Sequence, residues 1–266
     1  MTKDTIYQPS KHIGERLKRK LRPFLARQPI HFEISKPIIS ISFDDFPRSV
    51  MENALPQLDI HNWKSTFYVS GGLEGISNHF GPHFTKEDIK KLWAEGHEIG
   101  RHTFSHIDLS NTSDEEMKRD IRRNRDYLED LGVYTASENF AYPYGTFRTS
   151  QKQALGRKFQ TLRGIHPYTH HRVMDISRLG AYPLYSGEPH KKLIKAITRL
   201  KTRPGWLILF THDVCKTPSP WGCTPEEFHL TLEAIKQSGA DIMPVKQAYT
   251  SILEQQNVNM VLTNAT

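Results

Sequence analysis

Cysteine is almost missing from this chain: Cys215 and Cys223 are the two in 266 residues, which excludes a disulfide-built scaffold. Long apolar runs are missing too. No stretch reaches the ~18 to 20 consecutive apolar residues of a membrane span, and no short apolar core follows the N-terminal charges as in a signal peptide. A cytoplasmic location with free thiols is therefore expected, although the two cysteines are close enough in sequence to pair if the chain were exported. Internal repeats and low-complexity segments are also absent. What the chain does have is apolar material, 37% hydrophobic and 10% aromatic residues, so disorder is excluded as its main state. A chain this long buries about three quarters of its unfolded surface and holds together without cross-links.

Acidic residues are in deficit at one end only. The chain carries 36 Lys+Arg against 29 Asp+Glu, a formal +7. Residues 1–28 hold eight basic side chains (Lys3, Lys11, Arg16, Lys18, Arg19, Lys20, Arg22, Arg27) against Asp4 and Glu15, a net of +6. Within that arm Ile13, Leu17, Leu21 and Phe24 recur at helical spacing, and Pro23 disfavours further helix. The pattern predicts a short basic amphipathic helix over residues 11–27. Its apolar stripe could pack on the main domain, or it could lie on an anionic membrane surface, making the protein peripheral there. The arm lacks the interleaved aromatics of a nucleic-acid reader, so no nucleic acid is expected as a partner. The division expected is an arm over residues 1–37 and one domain over 38–266.

After the arm, β-branched runs alternate with helix-patterned segments. Strands are predicted at 38–43, 65–69, 97–101, 139–142, 159–162, 206–211 and 241–243. Helices are predicted near 49–61, 85–95, 113–131, 149–157, 190–200, 224–238 and 245–255. Ser113 with Glu116 reads as a capping box, and Thr224-Pro225 as a capping hydroxyl before a first-turn proline. About seven strand–helix alternations predict an α/β fold with a parallel sheet, economically a deformed (β/α) barrel, with an open doubly wound sheet as the alternative. In both, chemistry belongs at the carboxyl ends of the strands.

Four polar constellations fall there. The strand IISISF runs into Asp44-Asp45, two adjacent carboxylates that need a cation nearby, either a metal or an arginine. HTFSH places His102 and His106 four apart after a strand, a spacing that serves one ion if the chain turns like a helix. The same spacing recurs at His79/His83 and His166/His170, in loop-like stretches read as unrelated to the site. Ala141-Tyr142-Pro143-Tyr144-Gly145 is a tight turn able to expose the Tyr144 backbone N–H, and LFTHD ends an apolar strand in His212 beside Asp213. Asp45, His102 and His106 would form a two-histidine, one-carboxylate site, which suits hydrolytic zinc and oxygenase iron equally. Asp44 and His212 supply the base and acid that amide hydrolysis requires.

These residues resemble the polysaccharide deacetylase family, the carbohydrate esterases that share the NodB homology domain, over about residues 38–250. SFDDF resembles the family's TFDDG motif, HTFSH its H-[ST]-x-x-H motif, AYPYG its R-x-P-Y motif and LFTH its L-x-x-H motif. The resemblance implies one divalent metal ion, with Zn2+ the expected identity, held by Asp45, His102 and His106. It also implies Asp44 as the base that activates water, His212 as the acid, and the Tyr144 backbone N–H as an oxyanion donor. Two residues depart from the pattern: Phe46 stands where the family has glycine, and Ala141 where it has the arginine that orients the base. Arg163, just after the next predicted strand, is the candidate replacement.

The resemblance further implies an N-acetylated amino sugar as substrate, in an oligosaccharide or a lipid-linked glycan, with deacetylation as the reaction. Trp221, Tyr142 and Phe46 are the expected substrate-contacting aromatics, since sugar rings stack on such faces. Relatives that hydrolyse cyclic amides or imides mark an alternative within the same barrel. An iron oxygenase on the same ligands leaves Asp44 and His212 without a role. A non-catalytic binding barrel predicts that changing them costs nothing. The oligomeric state is not encoded in any feature of the sequence, and Cys215 and Cys223 are expected to be structural.

Overall fold

The computed structural model describes residues 24–134 and 139–264. Seven parallel strands form its central sheet: β1 Ile38–Asp44, β2 Thr66–Val69, β3 Glu98–Arg101, β4 Asn139–Ala141, β5 Thr161–Arg163, β6 Tyr182–Pro183 and β7 Trp206–Thr211, in the spatial order β6-β7-β1-β2-β3-β4-β5. β1 and β7 are buried along their whole length. That accounts for their near-continuous apolar runs, as expected of strands covered on both faces. Two of the hydroxyls inside are satisfied: Ser42 Oγ donates to the Leu209 carbonyl at 2.8 Å, and Ser40 Oγ accepts from Trp206 Nε1 at 3.0 Å.

The sheet curls because strands change neighbours along their length. Asp241–Ile242 pairs with β1 at Ile38 and Ile39, while β2 takes over from Ser42 onward. On β7, the antiparallel pair Thr169–His170 covers Trp206 and Leu207, and β6 takes over at Leu209. Between β5 and β6 the ring is bridged by irregular chain, with the Leu179 N–H donating to the Leu162 carbonyl at 2.7 Å and the Gly164 N–H to that of Leu179 at 2.8 Å. This is the deformed α/β barrel rather than the open doubly wound sheet.

The predicted helices are present with two differences. The segment 49–61 is two helices, Arg48–Asn53 and Leu55–Asp59, because Pro56 lacks the N–H that a continuous helix would need there. Ser113 accepts from the Glu116 N–H but makes only that half of a capping box, whereas Thr224 and Glu227 exchange both bonds. At the amino ends of the strands, Glu98 is half-buried and accepts from Thr66 Oγ1 at 2.7 Å, from the Lys246 N–H at 3.0 Å and from Asn139 Nδ2. This ties the start of helix Val245–Asn264 to the barrel floor, leaving the opposite rim for chemistry.

At the N-terminal side, Pro29–His31 pairs antiparallel with Val173–Asp175, and Phe32 is in the core. Residues 11–23 of the expected basic helix lie outside the described residues. Phe24, the last member of its apolar stripe, is 71% exposed. Among the described residues no helix is long and apolar enough to cross a membrane. Cys215 and Cys223 are free thiols on segments joined by their backbones, Cys215 N–H to the Cys223 carbonyl at 3.2 Å.

Two buried histidines away from the rim predict acid sensitivity. His97 Nδ1 accepts from the Ser65 N–H at 3.2 Å and His170 Nε2 from the Gly180 N–H at 3.1 Å, so both rings are held neutral. Burial pushes each down to about 4. Between that value and the ~6.5 of an unfolded histidine, the unfolded chain binds more protons, so stability is full above ~6.5 and falls as the pH drops toward 4. Thermal unfolding should show the midpoint falling by on the order of 10 °C from pH 7 to pH 5. His97→Gln should flatten that slope, and an unchanged slope would remove His97 as a cause.

Candidate metal centre and active site

Asp44 and Asp45 would face opposite ways if β1 simply continued, because strand side chains alternate. Asp45 instead takes a positive φ of 53° while its N–H donates to the Tyr68 carbonyl at 3.1 Å. That kink breaks the alternation and turns both carboxylates to the rim.

The histidines meet by a route other than the expected helical turn. Thr103 and His106 both have positive φ, 62° and 49°, and Asp120 on helix Asp114–Asp130 accepts the N–H groups of Phe104 at 2.6 Å and Ser105 at 3.0 Å. This bend brings the two rings to 4.9 Å between centroids. Positive φ at two non-glycine residues is strain of the kind found at functional sites.

Asp45, His102 and His106 each offer a ligand atom, all within 4.8 Å of one another. His102 Nδ1 lies 2.8 Å from the Ala141 carbonyl; a carbonyl only accepts, so Nδ1 carries the proton and Nε2 keeps its lone pair for an ion. His106 Nε2 is 3.2 Å from Asp45 Oδ2. Burial above all holds both rings neutral, His102 down to about 4 and His106 to about 3, as metal ligands must be. Asp45 Oδ1 is buried with no hydrogen-bond partner. An orphaned carboxylate oxygen beside the His102 lone pair and the His106 imidazole fits a divalent cation.

Arg163 reaches Asp44 from the strand beside Ala141, and the sheet register explains how. Ala141 and Arg163 are directly paired on β4 and β5, so the guanidinium enters at the same level from one strand over. Its Nη2 donates to Asp44 Oδ1 at 2.6 Å and Oδ2 at 2.5 Å, and its Nη1 to the Gly164 carbonyl at 3.1 Å. The cation is sandwiched between the Tyr68 ring at 4.9 Å and the Phe210 ring at 4.8 Å. Burial by itself would raise the Asp44 pKa, but Arg163, with His102 and His212, overcomes it and holds the carboxyl below its ordinary value.

Tyr144 sits on the turn Pro143–Gly145 with φ 56°, its ring edge-on to His106 with 4.4 Å between centroids. Gly145 is required there, since a Cβ would come within 2.4 Å of the Ile165 side chain. His212 Nδ1 lies 3.2 Å from the Trp221 carbonyl, which leaves Nε2 facing the rim. Asp213 is not its partner: both its oxygens are taken by Ser219, N–H at 2.7 Å and Oγ at 2.6 Å, and it pins the loop that carries Trp221.

Two expected substrate contacts are corrected. Phe46 is 0% exposed and stacks on Phe84 at 4.5 Å, since the kink that frees Asp45 sends the next side chain into the core. Tyr142 is 1% exposed, packs on Phe147 and donates its hydroxyl to the Ser177 carbonyl at 3.0 Å. Neither can meet a sugar. Trp221 is half-buried and does line the rim, edge-on to His79 at 5.5 Å and Phe80 at 6.0 Å.

The sequence reading missed the short hairpin Ser77–Asn78/Gly81–Pro82, which lays Phe80 flat on His212 at 5.0 Å and 7° between planes. It also misread His83, whose Nδ1 donates to the Ile76 carbonyl at 3.3 Å. Its buried Nε2 has no hydrogen-bond partner, and its ring is electrostatically coupled to Asp45 and His106. The His79/His83 spacing was the available signal, but nothing local tells that the hairpin folds over the rim.

Residues 33–159 match the family model described as "Polysaccharide deacetylase". Among curated proteins, the peptidoglycan-N-acetylglucosamine deacetylase of Bacillus cereus is 30% identical over 132 residues, 48% of this chain and 44% of its own length. The chain thus spans less than half the length of such relatives. Among solved structures, a mutant of the peptidoglycan deacetylase PdaC from Bacillus subtilis superimposes with a TM-score of 0.59 at 17% identity, over 87% of this chain and 98% of that one. An acetyl xylan esterase from Clostridium thermocellum in complex with a cobalt ion gives 0.56 at 22% identity, over 80% and 90%. These likenesses establish the fold.

Proposed function

Residues 33–159 of this chain match the polysaccharide deacetylase family model, and from that premise we propose that the protein is a metal-dependent hydrolase that removes N-acetyl groups from an amino-sugar glycan. The observation that carries the reading is the Asp45–His102–His106 cluster lying beside a buried Asp44 held in both its oxygens by Arg163. A divalent ion, with zinc the ion favoured by the donor set, supplies Lewis-acid polarisation and water activation when bound.

The chain's own residues do the rest. Asp44, kept ionised by Arg163, accepts the proton of the attacking water. His212, oriented by the Trp221 carbonyl, presents Nε2 to the departing amine and donates a proton there. The Tyr144 backbone N–H is assigned to the oxyanion, a role typically worth several kcal/mol. Trp221 offers the ring face on which a sugar stacks. The names of its relatives favour N-acetylglucosamine in a cell-wall glycan over the cyclic amides.

Elemental analysis paired with acetate release tests the reading. Wild type should hold about one divalent ion per chain and release acetate from chito-oligosaccharides or peptidoglycan fragments. His102→Ala should lose both the ion and the acetate, and Asp44→Asn should keep the ion and lose the acetate. Acetate release that survives Asp44→Asn would overturn the proposed mechanism.

A further inference from the structure

The strongest feature outside the rim is a groove of about 480 Å³ lined by Tyr168, Thr169, His171, Tyr182 and a row of cations, Lys192, Lys195, Arg199 and Arg203. No aspartate or glutamate lines it. It opens where Thr169–His170 covers the start of β7; Leu207, at that point, is five residues from His212, about 16 Å along a strand. The groove shares no residue with the metal centre.

Its charge is not a by-product of a basic surface. Outside residues 1–28 the chain has 28 basic and 27 acidic side chains, almost balanced. Yet from Pro189 to His212 there are six basic residues and no acidic one. Three of the groove cations, Lys192, Lys195 and Arg199, lie one above another at helical i, i+3 and i+7 positions on helix Glu188–Arg199, and Arg203 continues the row. The adjoining face of the helix is fixed by the buried Leu193, Ala196 and Ile197, of which Ala196 also lines the groove. Like charges at that spacing repel by a few tenths of a kcal/mol per pair. Among the described residues none of the four has an ion pair that would offset this. Surface helices ordinarily relieve such rows with interleaved acids, as helix Asp114–Asp130 does through Arg125 and Glu129.

The shape selects the ligand. Lys192 to Arg199 spans seven residues, about 10 Å of helix, more than one tetrahedral anion can touch, so the complement is a chain of anions. Arg forks and Lys point charges together suit phosphate oxygens. The aromatic faces and hydroxyls of Tyr168 and Tyr182, with His171 held by the Pro204 carbonyl at 2.9 Å, suit the carbon-bearing links between phosphates. The site is also concave, whereas a membrane surface is met by a protruding apolar face.

We propose that this groove binds a soluble polyanion of linked phosphates, independently of the metal centre and of the basic arm. The test uses the full chain with inorganic polyphosphate as the probe, measuring affinity by calorimetry at two salt concentrations. Lys195→Gln/Arg199→Gln should weaken binding at least about tenfold and flatten its salt dependence by roughly one to two released ions. Lys195→Arg/Arg199→Lys should retain affinity, which separates lost charge from lost fold. Acetate release from a neutral chito-oligosaccharide should stay unchanged in both variants.

Unaltered affinity in the Gln pair overturns the proposal. So does a loss produced instead by Lys18→Gln/Lys20→Gln in the arm. Groove-dependent binding of anionic lipid vesicles in place of polyphosphate would also overturn it, because the occupant would then be a membrane. A weak response to inorganic phosphate alone, with tight binding of the polymer, is the result expected.

Discussion

Arg163→Ala is expected to lower kcat/KM for an N-acetylated glycan by roughly 10²- to 10⁴-fold, the range typical of disabling a general base, while the metal content stays near wild type. The guanidinium is fully buried and contacts both oxygens of Asp44, so removing it strands a buried carboxylate. Burial then acts on Asp44 unopposed by its main cation and pushes the carboxyl upward. The base is therefore protonated over more of the pH range. The acid limb of the rate profile should move to higher pH, and part of the lost activity should return at alkaline pH. Thermal stability should also fall, by about 3–5 kcal/mol if the stranded charge stays ionised. Arg163→Lys should recover only part of the rate, because an ammonium is a point donor and cannot reproduce the fork between Tyr68 and Phe210. Added guanidinium ion should partly rescue the alanine variant. Full activity in Arg163→Ala would mean that Asp44 does not need this partner.

That residue shows what a single sequence can and cannot disclose. Six of the seven parallel strands and the helices that flank them were legible, because apolar runs and 3.6-residue periodicity are local properties; the two-residue strand Tyr182–Pro183 was too short to show either. Asp44, Asp45, His102, His106 and His212 were legible for a related reason: polar residues that end apolar strands must lie on the rim of a parallel barrel. Arg163 was legible only as a candidate, since its pairing with Ala141 is a register across two strands. The facing of Phe46 and Tyr142 was not legible. Strand alternation fixes facing only while the backbone stays extended, and the kink at Asp45, with φ 53°, resets it. Tyr142 stands at the end of β4 beside the turn, where its hydroxyl finds a carbonyl on a segment thirty-five residues away. Hairpin 77–82 was invisible for the opposite reason, having two-residue strands too short to show a period.

The same hairpin sets the second large effect. His212→Ala should reduce turnover of an amide substrate by roughly 10²- to 10⁴-fold, and much less for an activated acetyl ester, whose leaving group departs without a proton. That contrast separates the acid role from a general loss of fold. The His212 imidazole is held without a carboxylate partner, because the neighbouring Asp213 is turned away and committed to Ser219. Its orientation rests on the Trp221 carbonyl and on the face of Phe80 stacked 5.0 Å above it. Phe80 is thus a positioning residue, and Phe80→Ala should repeat the His212→Ala pattern at smaller scale. A loss of about tenfold on amides, little on the ester, and rescue by Phe80→Tyr are expected. Equal losses on both substrates would assign Phe80 to sugar binding instead, and no loss on either would leave the imidazole held by Trp221 alone.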